Sequence, residues 1–315
     1  MRSFTLTVLA LALAPLNVNA QVFKMTPEQL IKYTAENPYD RFSDGRPKVP
    51  DSVLEKFQEM SMEEVMLERR GYPNQYVGDL KVLNPDKKLV GRAFTLQFMP
   101  VRPDVSGVIQ ADWKATGATR VYDHQNGALD MLQPGDVLVV DGYGTVPGIV
   151  GDNLAYYIWK KTGTGFVFDG GIRDLDGIVP YGMPGYFRFS SPPATNNTMV
   201  VGVNIPVRIS NTTVMPGDIV FGDREGVTFI PPHLAKALVD AAEVVHVHDE
   251  WTRKKFDEGK YRATDIYSRP TDPALIKEYE QYLREKLGDQ GYQEYLREQR
   301  TSQGGPGQAP AQKKQ

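Results

Sequence analysis

Apolar positions change period several times along this 315-residue chain, and each change marks a new element. A strand-like run begins at Leu89 and carries Val90, Phe94, Leu96 and Phe98. Val137-Leu138-Val139-Val140 is a continuous apolar run launched by Pro134-Gly135-Asp136, a pattern that predicts a strand buried on both faces. The same device recurs where Met215-Pro216-Gly217-Asp218 precedes Ile219-Val220-Phe221, and Gly222-Asp223-Arg224-Glu225-Gly226 then turns into Val227-Thr228-Phe229-Ile230. That spacing predicts a hairpin. Between the two lies one βα-type crossover: a helix from about Asp152 to Lys161, a stop at Gly163, the strand Phe166-Val167-Phe168, and a Gly-rich turn ending in Arg173-Asp174.

Helical periodicity frames this β-rich centre. Asp51 is placed to cap a helix over Val53, Leu54 and Phe57, and Ser61-Met62-Glu63-Glu64 reads as a capping box opening a second helix that ends at Gly71. Pro231-Pro232 starts a long helix through Leu234, Leu238, Ala241, Val244 and Val245 into Asp249-Glu250-Trp251-Thr252-Arg253. A further amphipathic helix is predicted from Pro273 to about Glu298, its leucines and tyrosines packing back on the domain in preference to a partner.

The termini read differently. Arg2, the apolar run Phe4 to Leu16, and Val18-Asn19-Ala20 have the three parts of a secretory leader. Residues 1–20 are therefore expected to be removed near Ala20-Gln21, giving an exported chain, periplasmic or secreted. A dozen or so apolar residues fall short of the ~20 that a spanning helix needs. Residues 21–50, with Pro27, Pro38, Pro47 and Pro50, predict an extended arm on the surface or on a neighbour. Residues 301–315, with Gly304-Gly305-Pro306, predict a disordered tail.

Charge and cysteine content remove whole classes of function. Loss of Arg2 takes the net charge from −3 to about −4, which leaves no basic footprint for nucleic acid or an anionic membrane. The chain has no cysteine, so disulfides, thiol catalysis and cysteine-ligated metal are excluded, and an exported fold must rest on its own core. Two sequons, Asn196-Asn197-Thr198 and Asn211-Thr212-Thr213, matter only in a eukaryotic secretory pathway.

Candidate chemistry gathers in Gly151-Asp152-Asn153-Leu154 and Asp169-Gly170-Gly171-Ile172-Arg173-Asp174. Backbone N–H groups at a helix start can bind a carboxylate or phosphate, and Asp152 there is either part of such a site or a simple N-cap. Arg173 could grip a carboxylate bidentately or form a surface pair with Asp174 or Asp176. Asp174 could hold a Mg²⁺-type ion, which commonly takes one or two carboxylates and completes its octahedron with water and substrate oxygens. His246 and His248 sit two apart on a presumed helix and point to different faces, so they are poor joint ligands. His124, beside Asp123, reads as a loop or cap residue.

A carboxylate, twenty residues, then Arg-Asp resembles the signature of the 4-hydroxy-4-methyl-2-oxoglutarate aldolases, class II pyruvate aldolases that share a fold with the RraA regulators of ribonuclease E. The resemblance also covers Gln133 to Asp141, Phe168 to Asp174, and Pro216 through Val227. It implies a compact α/β fold, an α-β-β-α sandwich of the swivelling β/β/α type over residues 51–265, with a helical C-terminal extension over 266–300 and helical segments at the N-terminal side. It further implies a homotrimer or homohexamer with sites between subunits, acting on a 2-oxo acid. Carried onto this chain, Asp174 would hold the divalent metal, Mg²⁺ ahead of Mn²⁺. Arg173 and the amides of Gly151, Asp152, Asn153 and Leu154 would bind a pyruvoyl group, and Asp152 would join a proton relay through water. The family also uses a glutamate from an adjacent subunit, for which Glu250 is the candidate, a solvated helix face being the other reading. A retro-aldol lyase with oxaloacetate decarboxylase side activity follows; the alternatives are a non-catalytic regulator and a lactone- or sugar-acid-processing lyase on the same fold. The chain departs from the family in its leader, its N-terminal arm, its C-terminal extension, and in Tyr156, Tyr157 and Trp159, where the family has small residues. These three either reshape the pocket or face the core, core packing being the expectation.

Overall fold

The computed structural model describes residues 23–115, 117 and 124–303. The leader, Asp123 and the segment 304–315 lie outside these. Helices α1 (Pro27–Tyr33), α2 (Asp51–Phe57), α3 (Pro103–Ala115), α4 (His124–Leu129), α5 (Asp152–Thr162), α6 (Leu175–Ile178), α7 (Ala235–Asp257), α8 (Ala263–Ile266) and α9 (Pro273–Gln303) surround the strands. These are β1 (Tyr76–Val77), β2 (Lys81–Val82), β3 (Leu89–Pro100), β4 (Asp136–Asp141), β5 (Phe166–Ile172), β6 (Gly185–Ser190), β7 (Thr198–Val203), β8 (Val207–Ile209), β9 (Thr212–Val214), β10 (Ile219–Asp223) and β11 (Gly226–Ile230).

One mixed sheet runs β1-β11-β10-β3-β4-β5-β6-β2, with β7 joined to β3. Strands β3, β4, β5 and β6 are mutually parallel, and β10–β11 is the expected antiparallel hairpin. Long β3 changes partners as it goes: Arg92 to Gln97 pair with β4, and after a register shift at Gln97/Phe98 its end pairs with β7. The period of two divides each central strand between two cores. Leu138 and Val140 pack with Trp113, Leu129 and Ile158, while Val137 and Val139 pack with Phe229 and with Val207, Ile209 and Val214 of the small β8–β9 sheet. Helices α2 and α7 close a third cluster over Ile219, Phe221 and Ile230. The chain is thus a mixed α/β fold with helical additions at both ends.

Three local expectations differ. The stretch before Asp51 is no extended arm: Thr26 and Gln29 form a capping box that opens α1, Leu30 and Val49 are fully buried, and Arg46 is 1% exposed beside Asp136. Pro50, not Asp51, caps α2, and Asp51 instead pairs with Arg92 at 2.8 Å. The segment after Ser61 is two 3₁₀ turns, Glu63–Val65 and Glu68–Arg70, and not one helix. Val65 and Leu67 are both buried in the same cluster; a continuous helix would point residues two apart in opposed directions, so Met66 adopts an extended conformation between them. Gly71 ends the segment with φ 88°. Helix α9 packs back on α7, burying Leu275, Tyr279, Leu283, Tyr292 and Tyr295 against Val247 and Trp251, and it breaks at Gly288 (φ 69°).

Candidate active site

Asp152 and Arg173-Asp174 are twenty residues apart in sequence but adjacent in space, because the loop before α5 runs beside the end of β5. Gly171 N–H donates to Val146 O at 2.7 Å, Ile149 N–H to Gly171 O at 2.8 Å, and Arg173 N–H to Val150 O at 3.2 Å. Gln125 of α4 anchors the same loop from the other side, its Nε2 donating to Ile149 O at 2.5 Å. The site therefore lies at the carboxyl ends of β4 and β5, where parallel sheets with helical crossovers place their ligands.

Glycines set how closely the parts approach. A β-carbon on Gly151 would stand 3.0 Å from Arg173 Cζ and Nη2 and closer still to Asp174 Oδ2. One on Gly177 would stand 2.9 Å from Asp152 Cβ. Gly151 and Gly177 are thus the two positions whose missing side chains let α5, α6 and the Arg173 turn converge.

Gly151, not Asp152, is the N-cap of α5, its backbone extended at φ −106° and ψ −173°. Asp152 occupies the first turn, where its Oδ1 accepts from Asn153 N–H at 2.8 Å. The amides opening such a helix lack intrahelical acceptors and point outward with the positive end of the dipole. Asp174 holds a left-handed conformation (φ 59°, ψ 39°) at the N-cap of α6, which Asp tolerates better than most residues. Its side chain makes no capping bond, so the carboxylate is left for the site. Arg173 Nη1 lies 3.4 Å from Asp174 Oδ2, and the two side chains are 36% and 39% exposed. Arg173 Nε is enclosed and has no acceptor among the described residues, a state that buried donors rarely keep without a reason.

Among the described residues no three His, Cys, Asp or Glu side chains gather as a metal-binding group. A hard cation here would have one protein carboxylate, Asp174, and would draw its remaining ligands from water and substrate. The Asp174 carboxylate, free of any capping bond, the guanidinium paired with it and the space kept open by Gly151 fit that arrangement.

Other expected residues sit elsewhere. Glu250 of α7 lies 3.0 Å from Lys286 and 3.2 Å from Lys254 in its own chain, contacts that with Tyr282 bring its carboxyl down to about 2. None of these partners belongs to the site. His246 pairs with Glu64 at 2.8 Å, and His248 meets Tyr279 Oη at 3.0 Å and Tyr267 O at 3.1 Å. Tyr156 and Tyr157 are exposed, contrary to the core expectation. Tyr156 instead stands 5.2 Å from the Tyr181 ring, which stacks on the half-buried Trp159. Tyr157 donates to Asp130 at 2.7 Å, and that bond raises its hydroxyl to about 12. Gln125, Gly177 and Tyr181 were not foreseen; only the density of glycines around residues 142–182 signalled a close-packed turn region.

The fold and the site define an α/β protein with an acid and arginine cluster at the ends of parallel strands. Residues 51–229 match the RraA-like family model, described as Aldolase/RraA, and the chain belongs to that family. It is 28% identical over 172 residues to a Halalkalibacterium halodurans protein provisionally named 4-hydroxy-4-methyl-2-oxoglutarate aldolase, covering 54% of this chain and 73% of the relative. A Thermus thermophilus protein named 4-hydroxy-4-methyl-2-oxoglutarate aldolase is 31% identical over 101 residues, covering 31% of this chain and 60% of that one. The crystal structure of Streptomyces coelicolor RraAS2, described as an unusual member of the RNase ES inhibitor RraA protein family, is similar with a TM-score of 0.56 and 28% identity. That match covers 68% of this chain and all of the other.

Proposed function

We propose that this chain is a divalent-metal-dependent lyase that cleaves a C–C bond beside a pyruvoyl group, with 4-hydroxy-4-methyl-2-oxoglutarate as the type substrate and oxaloacetate decarboxylation as a side activity. The observation that carries the reading is the convergence of Asp152, Arg173 and Asp174 around Gly151. Asp174 would hold the ion, which when bound supplies Lewis-acid charge next to the 2-oxo group. Arg173 receives the substrate carboxylate or carbonyl, and the amides of Gly151 to Leu154 hold the same pyruvoyl unit at the positive end of α5. In the retro-aldol direction a proton leaves the C4 hydroxyl, the C3–C4 bond breaks, and its electron pair enters the pyruvate enolate. Arg173 faces that developing negative charge. Asp152, through an ordered water, takes the hydroxyl proton and returns one to the enolate carbon.

Assembly as a trimer or hexamer and export past a cleaved leader belong to the same proposal. Among the described residues no helix is long and apolar enough to cross a membrane. Sizing of the purified protein tests the assembly, and N-terminal sequencing of protein recovered outside the cytoplasm tests export, with Gln21 the expected first residue.

Pyruvate release from 4-hydroxy-4-methyl-2-oxoglutarate and from oxaloacetate, with Mg²⁺, with EDTA and in Asp174→Ala, tests the chemistry. Metal-dependent release lost in the variant supports it. No release from either compound by the folded, metal-supplied protein overturns it. The likeness to RraAS2, described as a member of the RNase ES inhibitor RraA protein family, makes regulation by protein binding the second reading, and such binding would survive Asp174→Ala.

A further inference from the structure

Away from the candidate active site, the chain builds one turn twice with opposite electrostatic results. Pro134-Gly135-Asp136 leads into β4 and Pro216-Gly217-Asp218 into β10. Both glycines are left-handed, with φ of 80° and 89°. In both turns the aspartate Oδ2 accepts the N–H of the residue three before it, Gln133 at 2.9 Å and Met215 at 2.8 Å. The second carboxylate oxygen then diverges. Asp136 Oδ1 meets the buried guanidinium of Arg46 at 3.0 Å. Asp218 is 5% exposed, yet among the described residues its carboxylate has the Met215 amide and no cation.

Asp218 lines a cavity of about 370 Å³, within the size range of small-molecule sites. The end of α1 and the residues after it, Lys32–Asn37, close one side, and Tyr72, Met215 and Pro231–His233 form the other. His233 Nε2 stands 3.2 Å from Tyr72 Oη and 3.2 Å from Glu36 Oε2, so a second carboxylate and an aromatic hydroxyl share the wall. Lys32 also lines the space, but its ammonium lies 5.7 Å from the Tyr33 ring and forms no ion pair with Asp218.

We propose that this cavity binds a small organic cation, a guanidinium or primary ammonium on a short chain, whose charged head pairs with Asp218 as Arg46 pairs with Asp136. Three features fit that chemistry. An acid this deep needs a partner to remain charged, and without one burial pushes the Asp218 carboxyl up to about 7. Tyr72 lines the same cavity, and aromatic rings attract cations. Glu36 adds a second negative group at the more exposed side of the cavity, where its side chain is 75% exposed. One wall comes from Lys32–Asn37, which precedes the family match at residues 51–229.

Agmatine carries both head groups and is the probe. Titrated calorimetrically into the mature protein at pH 7.5, it should bind saturably and raise the melting temperature. Asp218→Asn, which keeps an acceptor for the Met215 N–H, should weaken binding at least about 10-fold, equivalent to ~1.4 kcal/mol, because it removes a charge-assisted bond. Putrescine and guanidinium chloride separate the two head groups, and butane-1,4-diol, the uncharged analogue, should not bind. If Asp218→Asn does not fold, Glu36→Gln at the exposed side replaces it and should weaken agmatine in the same direction. No saturable binding at millimolar agmatine, equal affinity in both variants, or equal binding of the diol overturns the proposal.

Discussion

Replacing Gly151 by alanine is the sharpest probe of the candidate active site, because the position tolerates the change in backbone terms and resists it only through the site. Its φ of −106° and ψ of −173° are extended values that alanine adopts freely, and an N-cap prefers glycine to alanine by only ~1 kcal/mol. The new methyl, however, would stand 3.0 Å from Arg173 Cζ and nearer than that to Asp174 Oδ2. The carboxylate must retreat by roughly 1 Å to regain van der Waals separation. A misplacement of that size in a reacting constellation costs on the order of 10²-fold in rate, equivalent to ~2.7 kcal/mol of transition-state stabilisation. Gly151→Ala should therefore lose about two orders of magnitude in kcat/KM for pyruvate release while its urea midpoint moves by no more than the ~1 kcal/mol of the lost cap preference. Gly107→Ala, where an added methyl meets nothing within 4 Å, is the control. Unchanged kcat/KM in a folded Gly151→Ala protein would refute the reasoning, since Asp174 and Arg173 would then not act in this geometry. A loss explained wholly by unfolding would make Gly151 a packing residue only.

Other expectations concern charged groups away from the site. Arg46→Met strands the Asp136 carboxylate at 0% exposure and should cost ~3–5 kcal/mol in urea unfolding, much of it regained in Arg46→Met/Asp136→Leu; equal loss in single and double variants would sink this. Asp218, shifted from 3.8 to about 7 in the folded chain, holds its proton more tightly folded than unfolded. Its penalty is absent below about pH 4, grows as pH rises, and is complete above 7, reaching ~4 kcal/mol. Asp218→Asn should thus be more stable than the parent at pH 8 and similar at pH 4, and a pH-independent difference contradicts the assignment. Glu250→Gln should leave pyruvate release unchanged if its partners are only Lys254 and Lys286 in its own chain; a large fall in kcat with intact assembly would restore it as a residue supplied to a neighbour's site.

What the sequence could reveal followed from how local each cause was. The two Pro-Gly-Asp turns, the Gly163 stop and the β10–β11 hairpin are written in contiguous residues, and each appears where its turn chemistry puts it. In the Ser61–Gly71 segment, burial of both Val65 and Leu67 in one cluster overrides helix periodicity. The prolines of residues 21–50 concealed a different logic: Arg46 earns no signal from its neighbours in sequence, since its partner Asp136 lies ninety residues away. Exposure of Tyr156 and Tyr157 was equally hidden, because the buried stripe of α5 is Ala155, Ile158 and Thr162 and leaves the adjacent positions outside.

The candidate site shows why a sparse centre is legible only through spacing. Asp152, Arg173 and Asp174 each have an ordinary structural explanation when taken alone, and nothing in their individual chemistry separates them from a cap or a surface pair. The structure removes the cap explanations and keeps the pair, since Arg173 Nη1 lies 3.4 Å from Asp174 Oδ2. Gly151 takes the cap position from Asp152, Asp174 makes no capping bond despite sitting at a helix start, and Arg173 keeps an enclosed Nε without an acceptor. A loop hydrogen-bonded along the end of β5 then holds the three together, at the strand ends where the helix amides also point. An enclosed Arg173 Nε without an acceptor, beside two carboxylates that cap no helix, is what a ligand-binding centre requires, and a fold optimised for stability alone would have satisfied that donor internally.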